Sequence, residues 1–263
     1  MAYARLTNMA KFKTKEEIED LRISGKRLAF VLQEVKKAIK PGVATLELDT
    51  LAEKLIRDGG DTPPFKNYTP HGARAPFPAT LCVSLNDEIV HGIPSQERVL
   101  KGGDIVSIDL GVSHNGMITD AALTVAVGEV SPEVERLIAD TERSLYEGIK
   151  AAKVGGRIGD ISSAIERIGV KGGYGIVREL GGHGVGHAVH EEPYVPNYGS
   201  KGTGPLLKPG MVLAIEPMFM LGGENIRLMP DGYTIVTHDG SLSAHFEHTI
   251  VITEEGVEIV TML

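Results

Sequence analysis

The apolar residues of this chain change spacing twice in the same order, and that repetition restricts the fold more than any single motif does. In "TKEEIEDLRISGKRLAFVLQEVKKAIK", Ile18, Leu21, Leu28, Val31, Leu32 and Val35 recur at helical spacing. Acids follow Thr14 and Pro41-Gly42 ends the pattern, so the segment predicts an amphipathic helix. Leu48, Leu51, Ala52, Leu55 and Ile56 form a second such face, stopped by Gly59-Gly60. From Thr80 the texture turns to short β-branched runs bounded by glycine, asparagine or aspartate: "TLCVSL", "DIVSIDLGVSHNG" and "AALTVAV". Two further helical patterns run from Pro132 to about Lys153 and from Ile158 to Ile168, ahead of "GVKGGYG". Strand-like runs then return in "MVLAIEPMF", "YTIVTHDG" and "HFEHTIVIT".

Helix, helix, strands, stated twice, predicts an α+β fold with two similar halves, each laying helices on an antiparallel sheet. No short-period repeat or linker interrupts it, so residues 1–263 are expected to form a single domain, with 1–12 as an N-terminal extension. Residues 61–79 carry five prolines and few aliphatic side chains, which predicts a long loop of the kind that forms a lid or binding wall.

Composition narrows the function classes. No apolar stretch reaches the roughly 18–20 residues a membrane helix needs, and the N-terminus lacks an apolar signal core. Cys82 is the only cysteine, which excludes an internal disulfide and a cysteine-rich zinc site and fits a reducing cytoplasm. A formal net charge of −8 argues against nucleic-acid binding as the main task.

Within this framework, acids stand where acids are costly. Asp109 lies in "DIVSIDLGV", Glu216 in "VLAIEPMF", Glu247 in "HFEHTIVI", and Asp120 just ahead of "AALTVAV". A single acid in a strand usually faces solvent, but four in core-like segments call for neutralisation. Arg227, in "ENIRLM", is the one cation in a comparable segment and cannot balance four acids. Two divalent cations would. "GGHGVGHAVHEEP", residues 181–193, adds His183 as a nitrogen donor, and such a mixture suits manganese, iron, cobalt or zinc.

Five separated blocks resemble the type I methionine aminopeptidases, within the wider pita-bread fold shared with prolidase and aminopeptidase P. They are "SLNDEIVHGIP" (84–94), "GDIVSIDLGVSHNGMITDAA" (103–122), "GHGVGHAVHEEP" (182–193), "IEPM" (215–218) and "SLSAHFEHTIVIT" (241–253), with an eleven-residue step from Asp109 to Asp120. The resemblance runs from about residue 13 over nearly the whole chain. It implies a pseudo-symmetric antiparallel sheet covered by helices and a pair of divalent metals held by Asp109, Asp120, His183, Glu216 and Glu247. Asp120 and Glu247 would bridge the metals, and the pair would ready a water for attack on a peptide carbonyl and bind the substrate's α-amino group.

The resemblance also implies roles beyond the ligands. His190 would hydrogen-bond the scissile carbonyl oxygen, His91 the N–H beyond the scissile bond, and Glu216 would shuttle a proton. The glycines around His183 would let the backbone pass close to the metals. His187 is peripheral, and Asn86 and Ser243 match positions near a monovalent cation. The methionine pocket would use Phe77, Cys82 and Tyr233, with Val189 in place of a usual phenylalanine and Arg74 where a tyrosine is expected. The implied task is removal of the initiator methionine from nascent polypeptides when the second residue is small, by a cytoplasmic monomer in transient contact with ribosomes. Two rivals stand beside it. An Xaa-Pro aminopeptidase or prolidase would share the fold but usually carries an additional N-terminal domain, and a non-catalytic binding protein would have lost ligands.

Overall fold

The computed structural model describes residues 11–70 and 72–262, so the first ten residues of the expected extension lie outside the described residues. α1 spans Lys15–Ala38. Thr14 closes its N-terminus with a capping box: its hydroxyl accepts the Glu17 N–H at 3.2 Å, and the Glu17 carboxylate accepts the Thr14 N–H at 2.8 Å. α2 follows at Thr45–Asp58. The chain then forms β1 (Leu81–Leu85), β2 (Glu88–Val90), β3 (Ile105–His114) and β4 (Met117–Ala126). β1, β3 and β4 make an antiparallel sheet in that order. Leu81, Val83, Val106, Ile108 and Leu110 alternate onto the face that meets Leu28, Val31, Val35, Leu48 and Ile56 of the helices.

The second half repeats the plan. α3 (Pro132–Ala151) and α4 (Ile158–Gly172) precede β5 (Gly175–Ile176), β6 (Gly181–Gly184), β7 (Glu191–Pro196) and β8 (Val212–Ile215). β9 (Met218–Met220), β10 (Ile226–Leu228), β11 (Ile235–Thr237), β12 (Ser243–His245), β13 (His248–Ile252) and β14 (Val257–Ile259) complete the order. The sheet β14-β13-β8-β6-β7 turns Leu213, Ile215, Ile250 and Ile252 toward Leu137, Leu145, Ile161 and Ile165 of the helices. Two small sheets, β10-β11-β2 and β12-β9-β5, flank these layers.

The halves are stitched along β4. Glu247 N–H donates to the Ala122 carbonyl at 2.8 Å, and Ala122 N–H to the Glu247 carbonyl at 3.3 Å. The Thr249 hydroxyl accepts the Asp120 N–H at 2.8 Å and donates to the Asp120 carbonyl at 2.7 Å.

Two elements depart from expectation. α4 continues through "GVKG" to Gly172, because Gly169 is a packing glycine and not a stop: a Cβ there would come 2.7 Å from Ile176 Cδ1. The helix ends instead at Gly173, whose φ of +74° is left-handed. "MVLAIEPMF" and "HFEHTIVIT" each break into two strands, with Glu216 and Glu247 in the gaps.

Candidate metal centre

Residues opposed in an antiparallel sheet share a face, and so do residues two apart on one strand. Cys82 opposes Asp109, Asp109 opposes Ala122, and Ala122 bridges to Glu247. Asp120 lies two residues from Ala122. On the other side of the seam, Thr249, two residues from Glu247, opposes Ala214, which opposes His183. Glu216 follows just past β8, two residues from Ala214. Sheet parity therefore turns all five predicted donors away from the faces that pack on α1 and α2 in the first half and on α3 and α4 in the second.

They converge. Ligand atoms of Asp120, His183 and Glu247 lie within 4.8 Å of one another. His183 Nε2 is 3.6 Å from Glu216 Oε1, and Asp109 meets Asp120 side chain to side chain. The His183 Nδ1–H donates to the Gly184 carbonyl at 2.9 Å, which leaves Nε2 with its lone pair turned into the cluster. Arg227 is exposed on β10 and does not enter the site.

The electrostatics are those of a cation cage. Burial pushes the Asp109 carboxyl up to about 6, and burial together with the neighbouring acids pushes Asp120 and Glu247 well above the ordinary carboxylate range. Glu216 goes the other way. Burial opposes its ionisation, but the close approach of the His245 ring and the nearby His183 and His91 rings hold it below its usual value. Asp109 Oδ1, Asp120 Oδ1 and Glu247 Oε1 are buried with no hydrogen-bond partner. Unsatisfied buried oxygens of that kind are costly in a finished protein, so the donor set fits divalent cations.

Around the donors, His91 sits just past β2 with a φ of +61°, its ring held down to about 4 by burial. His190 stands at the mouth, partly open to solvent. Crowding by protein, with the His183 and His91 rings close by, keeps its pKa well below the ordinary imidazole value. Its ring centroid lies 4.5 Å from that of His183.

Phe77, Cys82 and Val189 pack with Phe65 and Ala79, and Tyr233 closes on them with its ring edge-on to Phe77 at 5.2 Å. That apolar wall adjoins the acids through Cys82, opposite Asp109. Asn86 and Ser243 meet where the Ser243 N–H donates to the Asn86 carbonyl at 2.9 Å.

The structure adds detail around the site. Arg74 is exposed, and the ring beside His190 belongs to Tyr68, whose hydroxyl lies 2.9 Å from His190 Nδ1. The glycines around His183 serve strand packing: a Cβ on Gly182 would meet the Ala214 carbonyl oxygen at 2.2 Å, and one on Gly184 the Glu192 carbonyl oxygen at 2.3 Å. Only glycine lets β6 fit between β7 and β8.

Sequence reasoning missed His245. It is buried, with Nε2 at 3.5 Å from Glu216 Oε2 and neither ring nitrogen otherwise hydrogen-bonded. Its spacing of two from Glu247 was the available signal. Tyr68, Phe65, Ile93 and Ile118, which also line the wall, carry no periodic signal at all.

A model of metallopeptidase family M24 matches residues 19–254. The chain belongs to that family. This M24 chain is 47% identical over 249 residues to methionine aminopeptidase 1 of Bacillus subtilis, covering 95% of this chain and 98% of that one. Its structure matches the crystal structure of methionine aminopeptidase from Thermotoga maritima with a TM-score of 0.92 and 43% identity, covering 97% of this chain and all of that one. The prolidase of Pyrococcus furiosus is more distant, at a TM-score of 0.72 and 25% identity, and the match spans 65% of its chain. The pita-bread fold is thereby established, and the chain is a metal-dependent hydrolase of the M24 family. Among the described residues no helix is long and apolar enough to cross a membrane.

Proposed function

We propose that the protein removes the N-terminal methionine of nascent polypeptides, preferably ahead of a small second residue. Asp109, Asp120, His183, Glu216 and Glu247 would hold two divalent cations drawn from manganese, iron, cobalt or zinc. The observation that carries this reading is the cluster of Asp120, His183 and Glu247, joined by Glu216 at His183 and by Asp109 at Asp120, with three orphaned buried oxygens, beside the wall of Phe77, Cys82, Val189 and Tyr233. Identity of 47% across nearly the full length of a methionine aminopeptidase supports the substrate, and it disfavours the Xaa-Pro and non-catalytic alternatives.

When bound, the cations supply Lewis acidity and balance the carboxylate charge. The apolar wall receives the unbranched methionine side chain and excludes water from it. His190 has Tyr68 at Nδ1, which leaves Nε2 to donate a hydrogen bond to the scissile carbonyl oxygen as charge develops there. His91 contacts the N–H beyond the scissile bond. Glu216, kept ionised by its histidine neighbours, takes the proton of the attacking water and passes it to the leaving amine. Asn86 and Ser243 would border a monovalent cation. The enzyme would work as a cytoplasmic monomer, meeting the nascent chain in transient contact with ribosomes.

A panel of X-Ala-Ser and X-Pro peptides, assayed on chelated protein and after adding back each metal, tests the reading. Methionine at X is expected to turn over fastest and only with metal. Faster turnover of leucine or proline at X, or no metal dependence, would overturn it.

A further inference from the structure

The loop of residues 185–190 carries two groups the proposed reaction needs: Val189 in the pocket wall and His190 at the carbonyl. The next residue ties that loop down. Glu191 Oε1 accepts the backbone N–H groups of His187 at 2.6 Å and Ala188 at 3.0 Å. Its other oxygen meets Lys13 Nζ at 2.5 Å, and the two side chains are only 4% and 1% exposed. Lys13 comes from the segment ahead of α1, whose backbone is itself fixed where the Lys13 N–H donates to the Gly210 carbonyl at 2.8 Å. The lysine stem lies across Gly186, whose φ is +136°; a Cβ there would come 2.4 Å from Lys13 Cε. One turn into α1, Glu17 Oε1 holds His187 Nε2 at 2.7 Å. The Gly186 carbonyl accepts the Ile118 N–H at 2.7 Å, which fastens the start of the loop to β4.

A buried ion pair is weak evidence for stability, because desolvation offsets much of its attraction. Its value here is geometric. We infer that Lys13 is a positioning residue whose ion pair with Glu191 fixes the loop bearing Val189 and His190, so that the segment preceding α1 aims the active-site imidazole. The ammonium reaches across 178 positions of sequence to a carboxylate adjoining His190. Without that ion pair, the side chain at residue 191 loses its tie to the segment ahead of α1, and the two amides it receives move with it.

The inference rests on the proposed aminopeptidase reading for its kinetic arm only. Lys13→Met/Glu191→Gln removes both charges together, so no buried charge is stranded. The glutamine keeps an acceptor for the His187 and Ala188 amides. The full-length, manganese-loaded variant is compared with wild type on Met-Ala-Ser, each assayed at the same interval below its own unfolding midpoint. Amide hydrogen exchange over residues 186–190 is followed in loaded and chelated protein.

We expect kcat to fall about tenfold or more, since misplacement by around 1 Å can cost a factor of about a hundred. KM should stay within about threefold, and exchange at His187 and Ala188 should quicken. Unchanged kcat, or unchanged exchange, would overturn the inference. If wild-type protein does not cleave methionyl peptides, the proposed reaction fails, and the exchange measurement alone decides whether Lys13 holds the loop.

Discussion

Replacing Asp109 with asparagine should stabilise the metal-free protein and cripple the loaded one. Asp109 is buried, opposed to Cys82 and set against Asp120, and its carboxyl is pushed from 3.8 up to about 6. The folded state therefore keeps the proton after the unfolded chain has released it. As pH rises from about 3.8 to about 6, the unfolded state binds fewer protons than the folded state, so stability falls. Above about 6 the loss is complete, and two pKa units amount to about 3 kcal/mol. Asparagine cannot ionise, and removing this carboxylate also relieves Asp120 and Glu247, which it helps push up, so the gain comes from the acid cluster as well as from Asp109 itself. In chelated protein the variant should match wild type near pH 4, gain through pH 6, and level off at about 3 kcal/mol or more. At roughly 2–4 °C per kcal/mol for a chain of this size, the unfolding midpoint should rise by about 6–12 °C. With manganese the order should reverse, because wild type gains binding free energy that the variant, short of one ligand, cannot match. Calorimetry of both proteins at four pH values, with and without metal, reads the outcome. A chelated variant less stable than wild type at pH 7.5 would refute the electrostatic reasoning.

Three further outcomes are expected. His245→Ala removes the ring beside Glu216 and should weaken metal affinity about 10–100-fold, measured by competition with a chromogenic chelator. Thr249→Val orphans both the N–H and the carbonyl of Asp120, and should cost about 2–6 kcal/mol in denaturant unfolding of the chelated protein, the sum of two unsatisfied groups. Val189→Ala opens the wall formed with Phe77 and Cys82; the ratio of kcat/KM for methionyl over leucyl peptides should fall about fivefold, a discrimination of about 1 kcal/mol.

Much of the fold was legible because local patterns and tertiary burial agree. The apolar stripe from Ile18 to Val35 lies on one face of α1, and Thr14 caps it as the acids after it suggest. The alternation in "DIVSIDLGV" is real, with Ile108 and Leu110 to the helices and Asp109 away from them. Gly169 misled because a glycine that ends a helix and one that admits a neighbour look the same in sequence; Ile176 and Phe219, which crowd it, arrive from later strands. Tyr68 escaped notice for a related reason. It lies in a proline-rich loop with no period, and its place beside His190 depends on a fold-back over 122 positions.

The donor set was more legible than its surroundings because charge is costly wherever the strands pack, whereas the partner of a residue depends on register. From sequence, Asp109, Asp120, Glu216 and Glu247 are four separate anomalies. The seam makes them one. Pairing of Ala122 with Glu247 and of Asp120 with Thr249 sets the parity of β4 against that of β13, and a slip by one residue would turn Asp120 or Glu247 into the helix layer. The breaks at Glu216-Pro217 and Phe246-Glu247 follow from the same requirement. A regular strand would give each carboxylate a fixed perpendicular direction, and the interruptions free Glu216 and Glu247 to lean toward His183 across the junction of the two halves. The pseudo-symmetry read from the order of elements thus has a chemical consequence: each half contributes acids that neither could bury alone, and the site exists only where the two sheets meet.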